Sequence, residues 1–199
     1  MPQTPVLTID ICDSKIVSTI AKNNINSDIE ILGVGHCKAN GISKGKIINM
    51  DLAAASIKRS MDKARESYGG EFSKVYVSVL AANLELHSFK AMVNVPSGQI
   101  SVKEIKTVLN TAIHNAAIST DNEILHAIPS SFNIDGSLIE DPQNYIANHL
   151  EARVNIFSVN KNYLNNIKQV IRNCGIDWAY YALNSYVGPQ ALVNEEFDD

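Results

Sequence analysis

Three β-branched stretches crowd the first forty residues: 6–12 (VLTIDIC), 15–21 (KIVSTIA) and 29–35 (IEILGVG). Only Asp13-Ser14 and the polar run 23–28 separate them. Parallel pairing needs a connection of a dozen or more residues, so neighbours this close are confined to an antiparallel meander. Gly41 and Gly45 then bracket a loop leading to Asp51, an expected helix N-cap. Behind it Ala53, Ile57, Met61, Ala64 and Tyr68 recur at steps of four and three, which is one apolar helical face. Gly69-Gly70 stops that helix, and the nearly all-apolar run 75–80 reads as a buried central strand. Three strands, a helix and a strand make one layered α/β unit.

The texture then changes. Residues 84–95 form a long strand candidate that ends at Pro96-Ser97-Gly98. Ser101-Val102-Lys103-Glu104 fits a capping box, in which serine and glutamate satisfy each other's free backbone donors. Val102, Ile105, Leu109, Ala112, Ile113 and Ala116 continue it as a helical stripe. Residues 123–134 and 151–159 read as two strands around a polar loop containing Glu140-Asp141-Pro142. Asn160 is an expected cap for a helix with Tyr163, Leu164, Ile167, Val170, Ile171 and Cys174 on one face and Gly175 as its stop. This strand–helix–strand–strand–helix stretch is large enough to be a unit of its own. Residues 177–183 read as a last strand, followed by a weak helix limited by Pro189 and an acidic tail at 195–199.

Composition excludes several classes. Of 199 residues 45% are hydrophobic and 19% charged, which is globular and not disordered. No apolar run reaches the roughly 18–20 residues of a membrane span, and the N-terminus lacks a basic segment followed by an apolar one. Three scattered cysteines make neither a disulfide framework nor a zinc site, so a cytoplasmic chain is expected. The net charge of −4 is unevenly spread: the first hundred residues hold 11 basic and 9 acidic side chains, the remainder 6 and 12. Without a basic stripe, nucleic acid is not an expected partner.

Few motifs carry chemistry. Histidines 36, 87, 114, 126 and 149 never fall at metal-ligand spacing, and structural roles are expected for all five. Gly33-Val34-Gly35 lacks the third glycine and the following helix of a dinucleotide fingerprint. Glu140, Asp141 and Glu151 read as solvated charges, with nothing nearby to tune a catalytic pair. No catalytic or metal-ligating residue is expected. The turn Asp10-Ile11-Cys12-Asp13-Ser14-Lys15 is different. It reads either as an ordinary polar hairpin or as an anion cradle, with Asp10 holding Mg²⁺ through water and Ser14 and Lys15 reaching phosphate oxygens.

The order of these pieces carries a resemblance. A strand ending Asp-Ile-x-x-Ser-Lys-Ile, two more strands, and the loop Asn40-Gly41-Ile42-Ser43-Lys44-Gly45-Lys46-Ile47 resemble the start of the bacterial cell-division FtsA family, of the actin and Hsp70 superfamily. Gly33-Val34-Gly35, Val75-Tyr76-Val77-Ser78-Val79, Ile124-Leu125-His126-Ala127-Ile128-Pro129 and Asn173-Cys174-Gly175-Ile176 also look like family segments in family order. The likeness runs through essentially the whole chain. It implies a mixed α/β (α+β) fold: residues 1–82 and 175–199 as an incomplete actin-like ATPase subdomain 1A, and residues 83–174 as an inserted SHS2-type subdomain 1C.

The same resemblance implies ATP and Mg²⁺ as cofactors of the full-length family, with Asp10, Ser14 and Lys15 as part of a first phosphate turn. It implies a role at the division site, peripheral to the inner membrane, linking FtsZ filaments to the membrane and recruiting division proteins. Residues 83–174 would supply self-association and contacts with downstream division proteins. Two departures stand out. Cys12-Asp13 replaces the family's Gly-Thr or Gly-Ser, and a left-handed Cys12 would cost roughly 1–2 kcal/mol. The family's second phosphate turn and adenosine pocket are expected beyond Asp199, so no ATP hydrolysis is expected of this chain alone. A PilM-type adaptor of type IV pilus assembly, or one half of a split nucleotide-dependent enzyme, are the alternatives.

Overall fold

The structure is a computed structural model, and it describes residues 4–23, 29–80 and 84–184. In chain order its elements are β1 (Val6–Ile11), β2 (Lys15–Asn23), β3 (Ile29–Lys38), β4 (Ile42–Ser43), β5 (Lys46–Ile47), α1 (Met50–Tyr68), β6 (Lys74–Val79), β7 (Leu84–Asn94), α2 (Val102–Asn115), β8 (Asn122–Ile134), β9 (Ser137–Ile139), β10 (His149–Asn160), α3 (Lys161–Asn173) and β11 (Tyr180–Leu183). The chain divides into two compact units, 1–82 with 162–199, and 83–161. The expected helix around Pro189 and the acidic tail lie outside the described residues.

The first unit is built on a five-stranded sheet in the order β11-β6-β1-β2-β3. β1, β2 and β3 pair antiparallel as the short breaks require, while β6 runs parallel to β1 and β11 parallel to β6. Alternation along β1 buries Leu7, Ile9 and Ile11, and the same core takes Ile16, Ile20, Val75, Val77 and Val79. α1 contributes Ala53, Ile57, Met61 and Ala64 to this core, the face set by its apolar period. Its N-cap is Asn49 and not Asp51. Asn49 has the extended backbone a cap needs, and its side chain accepts from the Leu52 N–H at 3.0 Å. Asp51 sits two residues past the cap, in the first turn, where its charge complements the helix dipole.

Gly33 and Gly35 explain how closely α1 lies on β3. A Cβ on Gly35 would meet the Ser60 carbonyl oxygen at 1.9 Å, and one on Gly33 would meet that of Ala64 at 2.3 Å. The glycines form a trough for the helix and not a ligand loop. Serines line the same seam: Ser18 and Ser60 hydroxyls share a buried hydrogen bond of 2.6 Å, and Ser56 Oγ accepts from the Asn40 N–H at 3.2 Å. Partnered hydroxyls let small side chains sit in the core without stranding a polar group.

β4 and β5 were not legible as strands. They form a minimal hairpin whose tip, Lys44-Gly45, has positive φ at both residues (50° and 71°), the backbone of a type I′ turn.

The resemblance puts the end of the insertion at residue 174, whereas α3 buries Ile167, Val170 and Ile171 in the same core as Ile9, Ile57 and Val77. The physical reason is topological. β6 and β11 are parallel neighbours, a pair that requires a crossover across the sheet, and α3 is that crossover helix. Its C-terminus is a Schellman motif: the Ile176 N–H reaches the Ile171 carbonyl at 3.3 Å and the Gly175 N–H reaches that of Arg172 at 2.8 Å, with Gly175 at φ 84°.

The second unit is an antiparallel sheet, order β7-β10-β8-β9, with α2 on one face. The last long strand to appear in sequence, β10, lies in the middle. Leu150, Ala152, Val154 and Ile156 alternate from it into the core and meet Ala91, Val108, Ala112 and Phe132. α2 starts with the expected capping box: the Ser101 N–H donates to Glu104 at 3.0 Å, and Ser101 Oγ accepts from the Lys103 N–H at 3.2 Å. The Ser101 hydroxyl, which donates to the Glu104 carboxylate at 2.5 Å, and then the Ser101 N–H hold that carboxyl below its usual range. Without α3 this unit is strand–helix–strand–strand, and its core is its own.

Candidate functional site

Three parallel strands, β1, β6 and β11, end side by side, and each delivers a polar residue there: Asp10, Ser78 and Asn184. The crevice beyond such strand ends is where open α/β sheets take ligands. Here the three residues bind one another. Ser78 Oγ and Asn184 Nδ2 both donate to Asp10 Oδ1, the latter at 2.5 Å. The Cys12 thiol donates to Asp10 Oδ2 at 3.5 Å, so both carboxylate oxygens are engaged within the protein. Ser78 and Asn184 escaped sequence reasoning because strand register brings them to Asp10 across 68 and 174 residues.

The hairpin tip is tied down in the same way. The Cys12 N–H donates to the Lys15 carbonyl at 3.1 Å, and the Ala39 N–H to the Ser14 carbonyl at 3.1 Å. Asp13 Oδ1 accepts from the Gly45 N–H at 2.7 Å, which fastens the turn to the β4–β5 hairpin. Ser14 and Lys15 lie exposed at the tip, and Asp10 is half-buried behind them. The left-handed strain expected at Cys12 is absent, since neither Cys12 nor Asp13 has positive φ.

Tested against a polyphosphate, this turn does not fit. Two of the N–H groups that would cradle an anion, those of Cys12 and Gly45, are already bonded. Two carboxylates, Asp10 and Asp13, belong to this turn, with Lys15 as the cation beside them. No nucleotide step follows from such a site. Among the described residues, no three His, Cys, Asp or Glu side chains gather in a metal-binding group.

The Cys12 thiol reports on this cluster. Burial first, then the Asp10 charge and the hydrogen bond to Asp10, push its pKa above the ordinary thiol value. Asp10 therefore disfavours the thiolate. Asp10→Asn is expected to lower that pKa and speed Cys12 alkylation by iodoacetamide at neutral pH, read by mass spectrometry. Cys37 and Cys174 are buried, and burial raises Cys174 to about 11, so both stay slow. An unchanged Cys12 rate in the variant would contradict the assigned contact.

The second unit offers a different kind of surface. Opposite α2, its sheet exposes Leu86 and Met92 on β7 and Leu138 on β9, and Tyr145 and Ile146 stand out from the loop before β10. Its histidines serve locally: His149 Nδ1 meets Asn94 Oδ1 at 3.0 Å, and burial lowers the His126 pKa. Of the acids near that loop, Glu151 on β10 pairs with Lys90 at 3.0 Å, and Asp141 accepts from the Gln143 N–H at 3.0 Å.

Comparison with known proteins meets this geometry. Residues 81–158 match the family described as the SHS2 domain inserted in FTSA, nearly the limits of the second unit. The cell division protein FtsA of Buchnera aphidicola subsp. Schizaphis graminum is 26% identical over 192 residues, 96% of this chain and 46% of that protein. FtsA of Enterococcus hirae is 29% identical over 163 residues, 80% of this chain and 37% of that protein. FtsA of Escherichia coli K12 is 21% identical over 172 residues, 86% and 41%. This chain thus spans a little under half the length of these relatives. A chain of the PilM–PilN type IV pilus biogenesis complex superposes with a TM-score of 0.64 at 12% identity, covering 94% of this chain and 49% of that one. At that identity the likeness is one of fold.

Proposed function

Since this chain is related over nearly its whole length to part of the FtsA cell-division proteins, we propose that it acts in division as a protein-binding element and not as a nucleotide-hydrolysing enzyme. Residues 83–161 supply self-association and contacts with other division proteins. The first unit, an incomplete actin-like subdomain 1A, carries that SHS2-type 1C module. One observation carries the reading most: the stretch that matches the inserted domain is a compact unit with its own core and exposed apolar side chains, while the strand-end turn opposes an anion. For the full-length family, ATP with Mg²⁺, linkage to FtsZ and attachment at the inner membrane belong to the reading as well. Asp10, Ser14 and Lys15 are then what remains of a first phosphate turn. Among the described residues no helix is long and apolar enough to cross a membrane.

The fold likeness to the PilM–PilN complex supports a second reading, an adaptor in pilus assembly. Capture on the immobilised chain separates the two, because FtsA-type partners would be division proteins and PilM-type partners pilus proteins. Charge reversal across the exposed surface of 83–161 is expected to weaken capture, and Mg²⁺-dependent ATP turnover is expected to be undetectable. Robust turnover, or capture indifferent to a scan of that whole surface, would overturn the proposal.

A further inference from the structure

β7 is the one long strand at an edge of the second unit's sheet, since β9 at the other edge has three residues. Among the described residues it pairs with β10 alone, so its other side presents a row of unpaired N–H and C=O groups. Edges of this kind are ordinarily blunted by proline, a bulge or outward charge. β7 has no proline, and its pairing with β10 runs through eleven residues without a register shift. Its two charged side chains have partners within the unit: Lys90 is drawn to Glu151 on β10 at 3.0 Å, and Glu85 accepts from the Asn122 amide at 2.7 Å. On the face away from α2, Leu86 and Met92 are exposed, at 59% and 62%.

We propose that this edge is where two copies of the chain join, β7 to β7 and antiparallel, about a two-fold axis at Phe89. The inference rests on the self-association reading above and specifies how it is achieved. The occupant follows from the strand's own sequence. Pairing about a two-fold axis keeps side chains on their own face only when the axis passes through a residue, which limits the register. With the axis at Phe89, Leu86 of each copy stands opposite Met92 of the other, so both exposed apolar side chains are covered twice. Lys90 then faces Ser88. With the axis at Lys90 the two ammonium groups oppose each other, and with it at Ser88 each Lys90 faces Leu86. The Phe89 register alone joins the apolar pair and keeps the charges apart, and the backbone ladder adds affinity by strand addition.

The test is sedimentation equilibrium on the full chain and on variants at exposed positions, which leave the cores intact. Leu86→Glu and Met92→Lys are each expected to weaken dimerisation by at least about tenfold in Kd, because each strands a charge against an apolar partner twice. The double variant puts the introduced carboxylate opposite the introduced ammonium and is expected to recover most of that loss. Leu138→Glu, on the opposite edge, is expected to change nothing. A dimer that tolerates both single changes overturns the β7 edge while leaving self-association standing. Single variants that weaken the dimer without rescue in the double overturn the Phe89 register. A wild-type chain that stays monomeric into the high micromolar range overturns both this inference and the self-association reading.

Discussion

Gly35→Ala is expected to destabilise the first unit by about 3 kcal/mol, lowering the melting temperature by roughly 6–12 °C. Alanine is usually a mild change in a strand, so the size of the effect comes from where β3 meets α1. The added Cβ would lie 1.9 Å from the Ser60 carbonyl oxygen and 2.6 Å from the Ala64 nitrogen. Both are backbone atoms of a continuous helix, so no rotamer change relieves the clash and the helix must move away from the sheet. That movement would loosen the buried Ser18–Ser60 hydrogen bond as well. Val34→Ala is the control, because Val34 points from the other face of β3 and is 46% exposed. Differential scanning calorimetry checks the pair. A Gly35→Ala chain that melts with the Val34→Ala chain would contradict the close packing of α1 on β3.

The second large effect is expected in the other unit. Ile156 is fully buried at the centre of β10, and truncation to alanine is expected to cost about 2–5 kcal/mol. Because Ile156 belongs to a core distinct from that of Ile57, the loss should be local. Hydrogen exchange followed by mass spectrometry is expected to show faster exchange through 83–161, with β1 and α1 still protected. Equal loss of protection in both units would contradict two separate cores.

These two sites also mark what a reader of the sequence can and cannot obtain. The strand at 151–159 that carries Ile156 is legible because alternation along a strand is a local property. The same holds for the apolar faces of α1, α2 and α3 and for the antiparallel order of the first three strands, where short breaks leave no choice. Gly35 is legible as part of an incomplete nucleotide motif and of a family-like segment but not as a packing site, since nothing local says that a helix some 25 residues on will lie against it. The hairpin of β4 and β5 was missed for a related reason: two-residue strands have no period to detect, and Lys-Gly is a weaker turn signal than Asn-Gly. For α3, periodicity disclosed a buried face but not the sheet it covers. That depended on β6 and β11 being parallel neighbours, a fact of topology.

The candidate site divides along the same line. Asp10, Ser14 and Lys15 could be singled out because they share one turn between two legible strands. Their environment was not legible. Ser78 and Asn184 reach Asp10 only through strand pairing, and Asp13 meets the Gly45 N–H only because the missed hairpin presents it. Those contacts make the candidate phosphate cradle a closed polar cluster.

The proposed self-association through the second unit is tested most directly by the mass of the chain in solution. Sedimentation equilibrium over a range of concentrations is expected to give a mass rising above the 21.8 kDa of one chain, with the same curve with and without Mg²⁺-ATP. A mass fixed at one chain throughout, or association that appears only when Mg²⁺-ATP is added, would contradict it.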